Sequence, residues 1–181
     1  MLRRLLGLRR ADDLDRQRQA LYGLVVAQAR RPELYSRLGV PDTFDGRLEM
    51  MILHLYAIHK RLLREGEEDR RLSQGVFDTF FDDMDAALRE AAVGDQAVPK
   101  RLQKITRVFY GHAKALDVIT TLPKPERTAA TIAFLESNIV DADQTIDREG
   151  LAHYVLTCVD RVDATALEAI KGAKFSFPDP V

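Results

Sequence analysis

Apolar residues recur at three- and four-residue spacings along most of the chain, which is the period of an amphipathic helix. Leu48, Met51, Ile52, Leu55, Ile58 and Leu62 predict a helix over residues 44–64. Val76, Phe77, Phe80, Phe81, Met84, Leu88 and Ala91 predict another over 68–92. Leu102, Ile105, Phe109, Leu116 and Ile119 predict a third over 99–120. Before these, Asp12 or Asp13 is placed to cap a first helix that ends near residue 31, and Pro32 marks its break. Beyond Pro123 and Pro125, helices are expected over 126–138, 148–159 and 164–171, with a polar acidic stretch over 141–149 and an extended tail over 175–180. Residues 38–46 carry turn chemistry, with glycine, proline and two aspartates that can bond nearby backbone N–H groups. There is no alternating strand pattern, no heptad run and no internal repeat. The expected fold is therefore all-α: a single-domain helical bundle of about six to seven helices with a looser C-terminal part.

Length and charge narrow the function classes. The 181 residues suit one domain, with 27 basic and 28 acidic side chains and a net charge of −1. That balance argues against a dedicated nucleic-acid binder, so DNA is not an expected partner. The single cysteine, Cys158, rules out an intrachain disulfide and any multi-cysteine metal site. No stretch approaches the roughly 18 apolar residues of a membrane span. Residues 1–11 stand apart as a basic amphipathic segment in which Leu2, Leu5 and Leu6 share a helical face flanked by Arg3 and Arg4. Such a segment suits weak contact with an anionic membrane surface. Residues 12–181 form the helical domain, with a place to subdivide near 122–125.

Candidate chemistry is sparse. The histidines show no metal-binding spacing, and His54 is expected at a core boundary, with Arg47 and Met50 to the side of the apolar face. An acidic outer stripe of Asp78, Asp82 and Asp85, with Asp83 on a flank, admits a magnesium-dependent helical enzyme using Asp78, Asp82 and Asp83. Against it, there is no second acid-rich helix, Walker A motif or nucleophile elbow. The following helix carries the opposite sign: Lys100, Lys104, Arg107 and Lys114 form a basic line that contains Gly111. That line fits ribosomal RNA, anionic lipid or an acidic protein.

Three long motifs then carry a family resemblance. They are GVPDTFDGR at 39–47, FFDDMDAALRE at 80–90 and VGDQAVPK at 93–100, together with the terminal FSFPDP. With these the chain resembles the ubiquinol–cytochrome c chaperone family, which includes bacterial proteins and the mitochondrial assembly factor for the cytochrome bc1 complex. It departs from the family pattern after the Tyr110-Gly111 pair, where His112 stands in place of the usual arginine and Leu116 in place of an aromatic residue. The resemblance implies a non-enzymatic chaperone without a cofactor. Its partner would be newly made cytochrome b, with a ribosome contact near the tunnel exit as a further expectation. Its location would be the cytoplasm, peripheral to the inner face of the membrane.

A chaperone for a membrane subunit needs an apolar groove with charged rims and adaptable side chains. Candidates for the groove are Met50, Phe77, Phe81 and Met84, bordered by Asp83, Arg89 and Lys100. His54, Lys104, Arg107 and Gly111 are further partner-binding candidates. The turn residues Asp42, Asp45 and Arg47 join the candidate surface, although a cap, a tight turn and a buried ion pair would also explain them.

Overall fold

In the computed structural model, residues 2–139 and 146–180 are described, with side chains from residue 12 onward. Among the described residues eight helices follow one another: α1 (Leu2–Ala29), α2 (Pro32–Ser36), α3 (Phe44–Leu63), α4 (Glu67–Glu90), α5 (Val98–Ile119), α6 (Lys124–Asn138), α7 (Arg148–Ala164) and α8 (Leu167–Lys171). There is no strand among the described residues. The six long helices and α8 match the expected set, while α2 is an addition, a five-residue turn started by Pro32 at its first position. The backbone of the basic N-terminal segment is helical from Leu2. Its side chains, including Leu2, Arg3, Arg4, Leu5 and Leu6, lie outside the described ones. Asp12 and Asp13 therefore sit inside α1 instead of capping it, and Asp13 pairs with Arg16 one turn on.

Helix α3 is the centre of the bundle. Residues 50–58 are buried without a break, and their sequence is apolar apart from His54. A helix that is apolar on all sides needs neighbours on all sides. Here α1, α4, α5 and α7 all pack against it. Met50 and His54, placed at the edge by the period alone, are consequently interior, each at most 1% exposed. Phe77, Phe80 and Phe109 join α4 to α5, with Phe77 and Phe109 edge to face at 4.4 Å. Burial of each such ring contributes about 2–3 kcal/mol.

Two helix starts are built alike. Thr43 accepts a hydrogen bond from the Gly46 backbone N–H at 3.1 Å, and Asp147 accepts one from Gly150 at 2.9 Å. Gly46 has a further reason to lack a side chain: a Cβ there would stand 2.0 Å from the Pro41 carbonyl oxygen. Glycine thus lets the turn before α3 fold back onto its first residues.

The tail is extended and held against the body. Phe177 is buried with its ring 4.9 Å from that of His54. Gln28 donates to the Pro178 carbonyl at 2.8 Å, and Arg31 reaches Asp179 at 2.9 Å. The looseness expected of the C-terminal part does not extend to α7 or this tail.

Candidate functional site

The start of α3 forms a ridge with a cleft on either side. Phe44, Leu48 and Met51 lie in line at spacings of four and three. Phe44 is 45% exposed, a large aromatic left in solvent on top of that ridge. The expected apolar stripe began at Leu48, so Phe44 was missed, although it continues the same line by one turn.

One cleft, of about 280 Å³, lies between α3, the end of α1 and the second half of α4. Met51 and Met84 give it an apolar floor, and Ala29, Ala86 and Ala87 keep its walls low. Arg30, Arg47, Asp83 and Glu90 supply its charged lining. Arg47 is fixed in place: its Nε donates to Asp42 at 2.6 Å, and its guanidinium lies 5.5 Å from the Tyr35 ring centre. That pair is about half exposed on both sides, so the buried ion pair expected of this turn is a surface one. Asp83 is also held, accepting a hydrogen bond from the Tyr22 hydroxyl at 2.5 Å. Burial, and then Asp83, keep that hydroxyl protonated well above the ordinary tyrosine range.

The second cleft, of about 530 Å³, opens between α3, α5 and the end of α6. Phe44 and Leu48 face it too, with Leu88, Ile105 and Val108 opposite. Asp45, Arg101 and Lys104 line its mouth. At its back, His112 meets the Glu49 carboxylate at 2.7 Å, with both side chains largely out of solvent. This pair occupies the position where the resemblance led to an arginine, and Leu116 is fully buried nearby in sequence.

The structure thus brings Asp45, Arg47, Asp83, Met84 and Lys104 to one place, with Asp42 holding Arg47. It adds Phe44, Leu48, Glu49, Arg101 and His112, whose grouping depends on how α3 crosses α5. Other candidates fall elsewhere. Met50 and Phe77 are core residues, at 0% and 6% exposure, and cannot serve as a groove surface. Phe81 is half-buried against Phe77 and Phe80. Arg89 clasps Asp85 and Asp95 and so ties the end of α4 to its loop. Lys100, Arg107 and Gly111 lie on the outer face of α5, away from both clefts.

His54 belongs to an interior hydrogen-bond chain. Gln28 donates to the Tyr154 hydroxyl at 2.8 Å, and that hydroxyl meets His54 Nε2 at 2.6 Å. His54 Nδ1 in turn reaches the Met50 carbonyl at 2.6 Å. A carbonyl only accepts, so Nδ1 carries the proton and Nε2 accepts from Tyr154. Burial pushes the imidazole pKa down to about 4, which keeps this neutral tautomer. The residue is a sealed packing group at the core, with no free nitrogen for haem or metal.

The acidic stripe does not assemble into a metal site. Asp78 accepts from Gln74 on its own helix, while Asp83 turns to Tyr22 of α1. Among the described residues, no group of three or more histidine, cysteine or acidic side chains is placed to hold an ion. Asp78, Asp82 and Asp83 are thus not gathered into one such cluster. What the clefts offer is an amphipathic surface: an aromatic ridge, methionine and alanine floors, and rims of both charges. Such a surface takes up an apolar helix with polar flanks.

Two comparisons bear on this architecture. A family model described as ubiquinol-cytochrome C chaperone matches residues 36–177. That span contains α3 to α6, and hence the ridge and nearly all of both clefts. The crystal structure of the Cbp3 homolog from Brucella abortus is similar at a TM-score of 0.83 and 33% identity, covering 99% of this chain and 98% of that one. No curated protein matches the sequence.

Proposed function

The chain belongs to the ubiquinol-cytochrome C chaperone family, and from that premise we propose that it binds newly made cytochrome b in the clefts beside Phe44 and so promotes assembly of the cytochrome bc1 complex. The observation that carries this reading is the exposed Phe44 ridge between two clefts with apolar floors and charged rims. A transmembrane helix outside its membrane must cover apolar side chains, and the ridge supplies a matching surface. The methionines and low alanine walls accommodate different side chains in turn. Charged rims would meet the polar ends of the client segment.

The role is non-enzymatic and needs no cofactor. It is carried out in the cytoplasm, at the inner face of the membrane that receives the client. No helix among the described residues is long and apolar enough to cross a membrane. A contact with the ribosome near the tunnel exit belongs to the same proposal, because it would present the clefts to the client as it emerges.

Phe44→Asp tests the reading. Burying a phenylalanine is worth about 1.5–3 kcal/mol, which is roughly ten- to hundredfold in affinity. Cytochrome b made in the presence of the variant should co-purify with it at least about tenfold less than with the wild type. The melting temperature should hardly move, because the side chain already faces solvent. Undiminished co-purification of cytochrome b with a folded Phe44→Asp variant would refute the assignment of this surface.

A further inference from the structure

The outer face of α5 is a line of cations that pair with no acid among the described residues. Lys100, Lys104, Arg107, Gly111, Lys114 and Val118 follow one another at spacings of four, three, four, three and four, so they form a single ridge along the helix. At the rise of an α-helix that ridge is about 27 Å long. Arg101 flanks it at one end. All of these residues are exposed. Elsewhere, exposed arginines such as Arg16, Arg47, Arg64, Arg71 and Arg89 each hold an acid. Among the described residues none of the five α5 cations does. The one acid of α5, Asp117, is occupied with the Tyr56 hydroxyl and Lys60.

Two apolar groups accompany the cations, Val118 on the ridge and Tyr110 at its flank. Val118 is 61% exposed and Tyr110 is 53% exposed, the tyrosine ring resting on Phe77 and Phe109. Gly111 lies between the cations, and a Cβ there would meet nothing within 4 Å. Internal packing therefore does not call for the glycine, which costs about 1 kcal/mol of helix propensity relative to alanine. It does lower the middle of the ridge and allow an outside surface to approach the backbone.

We propose that this face of α5 docks on an anionic bilayer surface, with the lysines and arginines among acidic headgroups and Tyr110 and Val118 at the edge of the acyl region. A straight charged ridge fits a plane. Basic side chains with interleaved aromatic and aliphatic groups are the composition of an interfacial helix. Nucleic acid would engage the cations and could stack on Tyr110, but offers Val118 no apolar environment. Arg101 and Lys104 also line the larger cleft, so docking would set that cleft beside the membrane. The benefit to a membrane client rests on the chaperone reading, but the docking itself does not need the client.

The test uses the purified full-length protein and flotation with vesicles, one set of phosphatidylcholine alone and one with roughly 30% phosphatidylglycerol. Wild type should bind the anionic set only, and release as salt rises from about 0.05 to about 0.5 M. Each basic residue at an anionic surface contributes about fivefold in partitioning, so Lys100→Gln, Lys104→Gln and Arg107→Gln together should lower it roughly 100-fold. Arg3→Gln with Arg4→Gln, a separate variant, should retain most of the binding. Tyr110→Ser should weaken binding several-fold at unchanged charge. Equal binding to neutral vesicles would overturn the proposal. So would loss of binding in the Arg3/Arg4 variant with none in the α5 variant, or displacement of the protein from vesicles by transfer RNA at low excess. The three α5 cations replaced by Gln lie on the surface, and the unfolding curve of that variant should overlay that of the wild type. Failure here with cytochrome b still co-purifying would sink the membrane face alone.

Discussion

Acidification should destabilise this protein through His54, well above the range where its carboxylates titrate. The perturbation is a shift from pH 7 to pH 5. In the native state the imidazole is held neutral at a pKa of about 4, against 6.5 when unfolded. The unfolded chain therefore binds the extra proton throughout the window between those values, and stability falls as pH falls. The contribution of the neutral imidazole is complete above pH 6.5 and declines steadily toward pH 4. Among the described residues no charge compensates the imidazole. The partners of the ring are the Tyr154 hydroxyl from α7 and its own helix's Met50 carbonyl, with the Phe177 ring packed alongside. At pH 5, one and a half units below the unfolded value, the loss is about 2 kcal/mol at 1.36 kcal/mol per unit. With a urea m-value of about 2 kcal/mol/M, the unfolding midpoint falls by about 1 M. The chain has no tryptophan, so far-UV circular dichroism is the suitable readout of urea titrations at a series of pH values. His54→Gln should be less stable at neutral pH yet show a much flatter pH dependence. Part of the slope should remain from His59, whose pKa burial also lowers. A wild-type midpoint that stays level between pH 7 and 5, or a His54→Gln protein with the full wild-type slope, would refute the reasoning.

Two further outcomes follow from single contacts. Gly46→Ala should destabilise the fold by roughly 3 kcal/mol or more, because the new methyl would collide with the Pro41 carbonyl oxygen and the turn beneath the site would have to move; a thermal melt measures the loss, and a wild-type melting temperature would show that the turn yields freely. The Cys158 thiol is buried, and burial pushes its pKa up to about 12. It should resist a thiol reagent such as Ellman's at neutral pH until the chain unfolds, and prompt native labelling would contradict its place in α7.

Several elements were legible because their signals are local. The three- and four-residue apolar spacings locate α3, α4 and α5 to within a few residues, since each must turn one face inward. Prolines mark α6 and the tail for the same local reason. Helix α1 was misread at its start because charged side chains such as Asp12 and Asp13 serve equally as caps or as exposed positions within a helix. The depth of His54 was misread because period alone gives a helix one buried face. How many faces are buried depends on how many neighbours arrive.

The site divides along the same boundary. From the sequence alone came the all-α class, a family resemblance and a set of charged and apolar candidates around the start of α3 and the end of α4. These follow from local periodicity and from long motifs. The tertiary structure alone decided which candidates meet. It sent Met50, His54 and Phe77 into the core. It dispersed the aspartates of α4 and left Phe44 exposed between two clefts. It also joined residue 49 to residue 112 across the bundle. Contacts between distant segments arise from how helices cross, and side-chain volumes at the crossings settle that.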